Sequence, residues 1–312
     1  MTEALQVRSS ELAARQQLTA EIYNDYINFL DASEKTAQTY TRAIRQFFKY
    51  CNERGIDRPE RADVLAFRDS LKATGHKATT IQSYITAVRL FFQWTATAGL
   101  YPDIAQHVKG QKITRSHKKD ALTSTQIKAV LAGIERETVQ GKRDYAMLFL
   151  MTTGGLRTVE INRANIEDLR PLGDDMVLYV QGKGHTQKDD FVKVPAPVEK
   201  AIRDYLRERG EHDPAAPLFA SLSRNSYGQR MTTRSVSGVV KKHLQAAGYD
   251  SDRLTAHSLR HTAVTLALLD GQELAQVKEF ARHADISTTM IYNHAIDKAK
   301  NSCGESVLNA IT

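Results

Sequence analysis

The run Tyr40-Thr41-Arg42-Ala43-Ile44-Arg45-Gln46-Phe47-Phe48-Lys49-Tyr50-Cys51 sets the fold class. Tyr40, Ala43, Ile44, Phe47 and Cys51 fall at i, i+3, i+4, i+7 and i+11, the apolar stripe of an amphipathic helix. Ile81, Tyr84, Ile85, Val88 and Phe92 repeat that arithmetic. The two runs also match side chain for side chain. Tyr40, Ala43, Ile44, Arg45, Phe47, Phe48 and Tyr50 correspond to Tyr84, Ala87, Val88, Arg89, Phe91, Phe92 and Trp94 at one constant offset. Two copies are too few for a solenoid, which needs about three, so they read as similar core helices of one small bundle. Between them Arg61 to Thr74 forms a third helix, closed by Gly75 in the usual C-terminal position.

Outward from this bundle, residues 1–16 are polar and read as a flexible start, and the helical period holds over 17–102. Residues 103–121 read as a basic interdomain linker, with Lys109, Lys112, Arg115, Lys118 and Lys119 among few apolar side chains. A helix begins at Thr123 with Gln126 three residues on, a capping box. Arg143 to Thr152 is a second helix, ending at Gly154-Gly155. Met176 to Gln181 and Asp190 to Val194 read as strands joined across Gly182-Lys183-Gly184. Helices follow over Val198–Arg209, Thr233–Ala247, His257–Leu269 and Glu273–Arg282. The expected fold is mainly α: a four-to-five-helix N-terminal domain, then a helical domain over 122–296 with a small antiparallel sheet. A tail over 297–312 carries Val307, Leu308 and Ile311 at helical spacing, with its helix starting near Glu305.

Composition narrows the function classes. The chain has 312 residues, 43 Lys plus Arg against 36 Asp plus Glu, and a net charge of +7, with 41% hydrophobic and 25% charged residues. These values fit an ordinary globular protein and exclude a disordered chain or a disulfide scaffold. Only Cys51 and Cys303 are present, so no zinc site or disulfide framework is read. No apolar run approaches the roughly 18 residues of a membrane span, and the start lacks a signal-peptide core. The chain reads as cytoplasmic, with a basic excess suited to a polyanion.

The candidate chemistry lies in the second domain. His257 and Arg260 are three apart on one helix face, and His261 extends that face. His257, His261, His283 and His294 lack the cysteines and carboxylates of a metal set, and an arginine intrudes, so no metal is expected. The order Arg157, Lys183, His257-x-x-Arg260, His283, Tyr292 instead matches the needs of phosphoryl transfer without a metal. Two guanidiniums can grip nonbridging phosphodiester oxygens, a lysine can protonate the leaving 5′-oxygen, and a histidine can take the nucleophile's proton. A tyrosine, with a reference pKa of about 10, needs that help to attack. In the first domain Arg45 and Arg89, with Lys77, Thr79 and Thr80 at a helix start, could face phosphates or simply be solvated.

On Gly155-Leu156-Arg157-Thr158-Val159-Glu160, His257-Ser258-Leu259-Arg260-His261-Thr262, and His283 through Ile286-Ser287-Thr288-Thr289 to Tyr292, the sequence resembles the tyrosine recombinase (phage integrase) family. The resemblance covers nearly the whole chain from about residue 17. It implies a SAM-like core-binding domain and a catalytic domain forming a C-shaped DNA clamp, with no cofactor. It implies that Tyr292 forms a 3′-phosphotyrosine, that Arg157 and Arg260 stabilise the transition state, and that Lys183 is the general acid. By the same resemblance His257 acts in proton transfer, His283 hydrogen-bonds the scissile phosphate, and Glu160 supports the cluster. Lys118 and Lys119 join Arg45, Lys77, Thr79, Thr80 and Arg89 as expected DNA contacts. The implied activity is site-specific recombination at short core sites through a Holliday junction, by a homotetramer on two DNA sites, with DNA-bending or directionality proteins as possible accessories.

The chain departs from the family pattern in four places. Gly154 stands where threonine is frequent, Ala256 where proline is, and Arg282 where glycine is common. The hairpin is also longer, so Lys188 competes with Lys183 for the acid role. Whether the tail packs on its own domain or a neighbour stays open. So do two alternative readings, a non-catalytic DNA-binding relative and a type IB topoisomerase-like relaxing enzyme.

Overall fold

The computed structural model describes residues 20–112, 120–182, 187–300 and 302–312. The chain divides into two compact units, with the boundary between Arg115 and Ser116.

The first unit holds four described helices: α1 (Ala20–Phe29), α2 (Glu34–Asn52), α3 (Arg61–Ala73) and α4 (Ala78–Thr97). The apolar stripe read from the sequence is the buried one. Ala43, Ile44, Phe47 and Cys51 of α2 meet Ile81, Ile85, Val88 and Phe92 of α4, with Val64, Phe67 and Leu71 of α3 closing the core. Phe47 packs edge-on against Phe67 at 5.3 Å and Phe92 at 5.7 Å, the offset geometry that aromatic quadrupoles favour. Gly75 sits at φ 76°, and the His76 N–H reaches the Leu71 carbonyl at 3.0 Å, which ends α3 as expected. Ala105 and Val108, inside the stretch expected as linker, are buried in this core.

The second unit contains α5 (Ser124–Ala132), α6 (Val139–Thr153), α7 (Thr158–Arg163) and a sheet of β1 (Leu169–Leu172), β2 (Asp175–Val180) and β3 (Asp190–Lys193). There follow α8 (Ala196–Arg209), α9 (Thr233–Ala246), α10 (Ala256–Leu269), α11 (Leu274–Ala281), α12 (Ile286–Lys300) and α13 (Cys303–Ile311). The sheet is antiparallel in the order β1-β2-β3, with Leu169 opposite Leu178 and Leu178 opposite Val192 on the buried face. Strand β1 was not expected from the sequence. The larger core joins Met147, Leu150 and Met151 of α6 to Val198, Ile202 and Tyr205 of α8, the sheet, α9 and Leu259 of α10. A smaller core gathers Val264 and Leu268 of α10, Val277 and Ala281 of α11, and Tyr292 of α12.

Helix starts are set by local chemistry. Thr123 and Gln126 form the expected capping box, at 2.8 and 3.2 Å. Without a proline at Ala256, α10 is instead held by the Thr255 N–H donating to Ser258 Oγ at 3.0 Å. Near the start of α6, a Cβ on Gly141 would lie 1.8 Å from the Glu135 carbonyl oxygen. Gly141→Ala therefore displaces backbone rather than a side chain and is expected to destabilise by about 1–3 kcal/mol. Urea denaturation checks this, and an unchanged midpoint would contradict so close an approach.

Helix α13 starts at Cys303, two residues before the expected start, with Gly304 in its first turn. Its Val307, Leu308 and Ile311 are all exposed. Among the described residues no helix is long and apolar enough to cross a membrane.

Candidate active site

The site is assembled where the end of α6, the start of α7, the face of α10 and the α11–α12 turn converge. Gly155 adopts φ 56°, and a Cβ there would meet the Phe280 ring at 3.3 Å. The double glycine thus permits close approach, here of the protein's own α11. This turn delivers Arg157 to the start of α7. Arg157 Nη1 donates to Glu160 Oε1 at 2.8 Å, its backbone N–H donates to Oε2 at 2.8 Å, and Nη2 donates to the Arg282 carbonyl at 3.1 Å.

Glu160 is fully buried. Burial alone would raise its pKa. The Arg282 charge, the Arg157 N–H and the Arg157 guanidinium outweigh that and hold it below the ordinary carboxylate range. Arg260 projects inward from α10 and is 2% exposed. Its Nη1 donates to the Gly155 carbonyl at 2.6 Å and its Nη2 to the Ala281 carbonyl. Burial, then the charges of Arg157 and Arg282, pull its pKa down to about 9, so it stays protonated at neutral pH.

His283 and Tyr292 complete the cluster. Both are buried, with rings stacked at 6.4 Å and 16°. His283 Nδ1 lies 2.9 Å from Thr289 Oγ1. Its pKa is lowered to about 4 by burial, then by Arg260, Arg157, Arg282 and His257, so the ring is neutral at neutral pH. The Tyr292 hydroxyl pairs with His261 Nδ1, and burial pushes its pKa up to about 12 against the pull of Arg260 and Arg157. His261 packs at 4.7 Å, edge-on, against His257, whose own ring is exposed. The cluster thus holds three guanidiniums, two of them paired with one carboxylate, together with a tyrosine hydroxyl. That excess of positive charge suits a phosphodiester, and the hydroxyl suits attack on it.

Arg157, Glu160, His257, Arg260, His283 and Tyr292, singled out from the sequence, are brought together. His294 is exposed further along α12. Lys183, Lys118 and Lys119 lie outside the described residues. Lys188 donates to the buried Asp168 carboxylate at 2.6 Å, an engagement that weighs against it as the acid. Arg45, on α2, is exposed and donates to the Tyr23 hydroxyl at 2.8 Å. Arg89 is exposed on α4, while Lys77, Thr79 and Thr80 sit at the start of α4. Sequence reading assigned no role to His261 or Thr289. The signal for His261 was its i+4 spacing from His257. Thr289 gave none, being one of several hydroxyls in an amphipathic stretch.

Known families match the chain in two successive segments. The phage integrase family model matches residues 120–299, and the phage integrase N-terminal SAM-like domain matches residues 21–99. A tyrosine recombinase of Synechococcus elongatus is 27% identical, covering 98% of each chain. The tyrosine recombinase XerC of Thermodesulfovibrio yellowstonii is 30% identical over 84% of this chain and 86% of its own. Among solved structures, the XerH site-specific recombinase bound to difH substrate superposes with a TM-score of 0.68 at 21% identity, covering 86% of this chain and 80% of that one. A lambda integrase dimer on a core site gives a TM-score of 0.70 at 14% identity, covering 93% and 85%. At those identities the structural matches speak to the fold.

Proposed function

The chain belongs to the phage integrase family, whose members break and rejoin DNA, and on that premise we propose that it is a site-specific recombinase with Tyr292 as nucleophile. The observation that carries this reading is buried Tyr292 stacked on His283 and paired with His261, with the charges of Arg260 and Arg157 acting on its hydroxyl. Arg157 and Arg260 hold the nonbridging oxygens while the tyrosine oxygen attacks phosphorus. The phenol proton passes to a histidine, the bond from phosphorus to the 5′-oxygen breaks, and Lys183 protonates the leaving oxygen. The product is a 3′-phosphotyrosine and a free 5′-hydroxyl. Because the phosphodiester energy is kept in the tyrosyl ester, a second 5′-hydroxyl can reverse the step, and strand-by-strand exchange passes through a Holliday junction.

The rest of the reading concerns assembly. Domain roles follow the expected division, with the first unit binding core-site DNA through Arg45, Lys77, Thr79, Thr80 and Arg89, joined by Lys118 and Lys119. Their phosphate contacts position the protein without reading sequence. Four copies act on two DNA sites, and the exposed Val307, Leu308 and Ile311 of α13 pack on a neighbouring copy. Integration, excision and resolution are all served by this chemistry, with accessory proteins setting the direction.

Covalent trapping tests the reading. Protein is incubated with nicked duplex fragments, denatured in detergent, and the retained DNA sequenced while the attached peptide is mapped. An adduct on Tyr292 is expected. DNA binding without any adduct, or attachment to another residue, would sink the assignment.

A further inference from the structure

Arg282 is built into the site in a way the reaction above does not use. Its backbone lies at φ 52°, ψ 48°, a left-handed conformation that side chains other than glycine rarely adopt. Its side chain is only 7% exposed. The guanidinium donates to Glu160 Oε2 at 3.0 Å, to the Phe280 carbonyl at 2.8 Å, and to the carbonyls of Gly154 and Gly155 at 3.2–3.4 Å. In the opposite direction, the Arg282 carbonyl accepts from Arg157 Nη2. One residue therefore fastens the glycine turn that carries Arg157 to the turn that carries His283, from both its main chain and its side chain.

We propose that Arg282 is a positioning residue for Arg157 and His283, locking the two turns in register and dividing the Glu160 carboxylate between two guanidiniums. The proposal rests on the recombinase reading. Its physical sense is one of charge and geometry together. Were Glu160 paired to Arg157 alone, more of the Arg157 charge would be spent inside the protein. With Arg282 as a second partner, the Arg157 guanidinium, 26% exposed, keeps more of its charge for an incoming phosphate. The same buried charge faces His283. Arg157 at the start of α7, Arg260 and His257 on α10, and Arg282 in its own turn all act on that ring, while Thr289 and Tyr292 contact it from α12.

The test compares wild type, Arg282→Gly and Arg282→Lys in single-turnover adduct formation, on the nicked duplex that wild type selects in the trapping experiment. Thermal melting establishes that each variant is folded, and histidine-labelled NMR follows the His283 titration. Arg282→Gly is expected to slow adduct formation about 100-fold at unchanged DNA affinity, the scale of an ångström-sized misplacement. It also removes a positive neighbour, so the His283 midpoint rises from its value of about 4 and the acid limb of the rate profile rises with it. Arg282→Lys keeps the charge but cannot span four acceptors. It is expected to slow the reaction about tenfold while leaving the midpoint low. A rate within twofold of wild type in both variants overturns the proposal, as does an equal slowing at every pH with an unmoved His283 midpoint. If wild type itself forms no adduct, the recombinase reading fails and takes the proposal with it. The first two failures leave that reading intact.

Discussion

Tyr292→Phe is expected to abolish covalent attachment to DNA while leaving DNA affinity within about twofold, since the hydroxyl is the nucleophile and the ring is not. The ring packs on Val264, Leu268, Val277 and Ala281 and stacks on His283, and phenylalanine keeps both sets of contacts. The hydroxyl's hydrogen bond to His261 Nδ1 is lost, a change of about 0.5–1.5 kcal/mol. The variant therefore folds, and any loss of activity is chemical. The size of the loss follows from the phenol itself. With its pKa pushed up to about 12, only about one molecule in 10⁵ carries a phenolate at pH 7. The hydroxyl must lose its proton at the moment of attack, and phenylalanine offers no oxygen in its place. Detergent-resistant DNA on the phenylalanine variant would mean that another residue attacks.

The fold was legible wherever one period dominated. Helices α2 and α4 announce themselves because their apolar stripe is continuous and their opposite face, with Arg45 and Arg89, is polar. The capping box at Thr123 was readable because both partners lie within one turn. Strand β1 was not, being four residues long with Pro171 inside it on an edge where a missing N–H costs nothing. Ala105 and Val108 looked like linker because two isolated apolar residues give no period, yet both are buried against the first core. At the site, His257 and Arg260 were readable from their spacing. Arg282 was visible as an odd charge, but its inward turn was not, because its partner Glu160 lies 122 residues away. The same holds for Lys188, whose partner Asp168 sits 20 residues back across the hairpin.

Glu160→Gln is expected to destabilise the protein by about 3–5 kcal/mol, the scale of removing one partner from a buried ion pair. Glutamine matches the shape of glutamate but presents one oxygen and one NH2 group. Glu160 uses both oxygens as acceptors, Oε1 for Arg157 Nη1 and Oε2 for the Arg157 N–H and Arg282 Nη2. Whichever way the amide turns, an NH2 group faces a donor, and the buried Arg282 and half-buried Arg157 guanidiniums lose their counter-charge. The effect carries a pH signature. The Glu160 pKa is lowered in the folded protein, so its contribution is present above the unfolded carboxylate pKa of about 4.3 and lost as pH falls through the folded value. The gap between wild type and variant, read from urea midpoints, should be full at pH 7 and shrink in acid as wild-type Glu160 itself becomes neutral. Adduct formation should fall with it, because Arg157 is held by this carboxylate at both its side chain and its main chain. A gap below about 1 kcal/mol, the value of an exposed pair, and indifferent to pH, would mean that the guanidiniums are held by their backbone carbonyls and that Glu160 organises nothing.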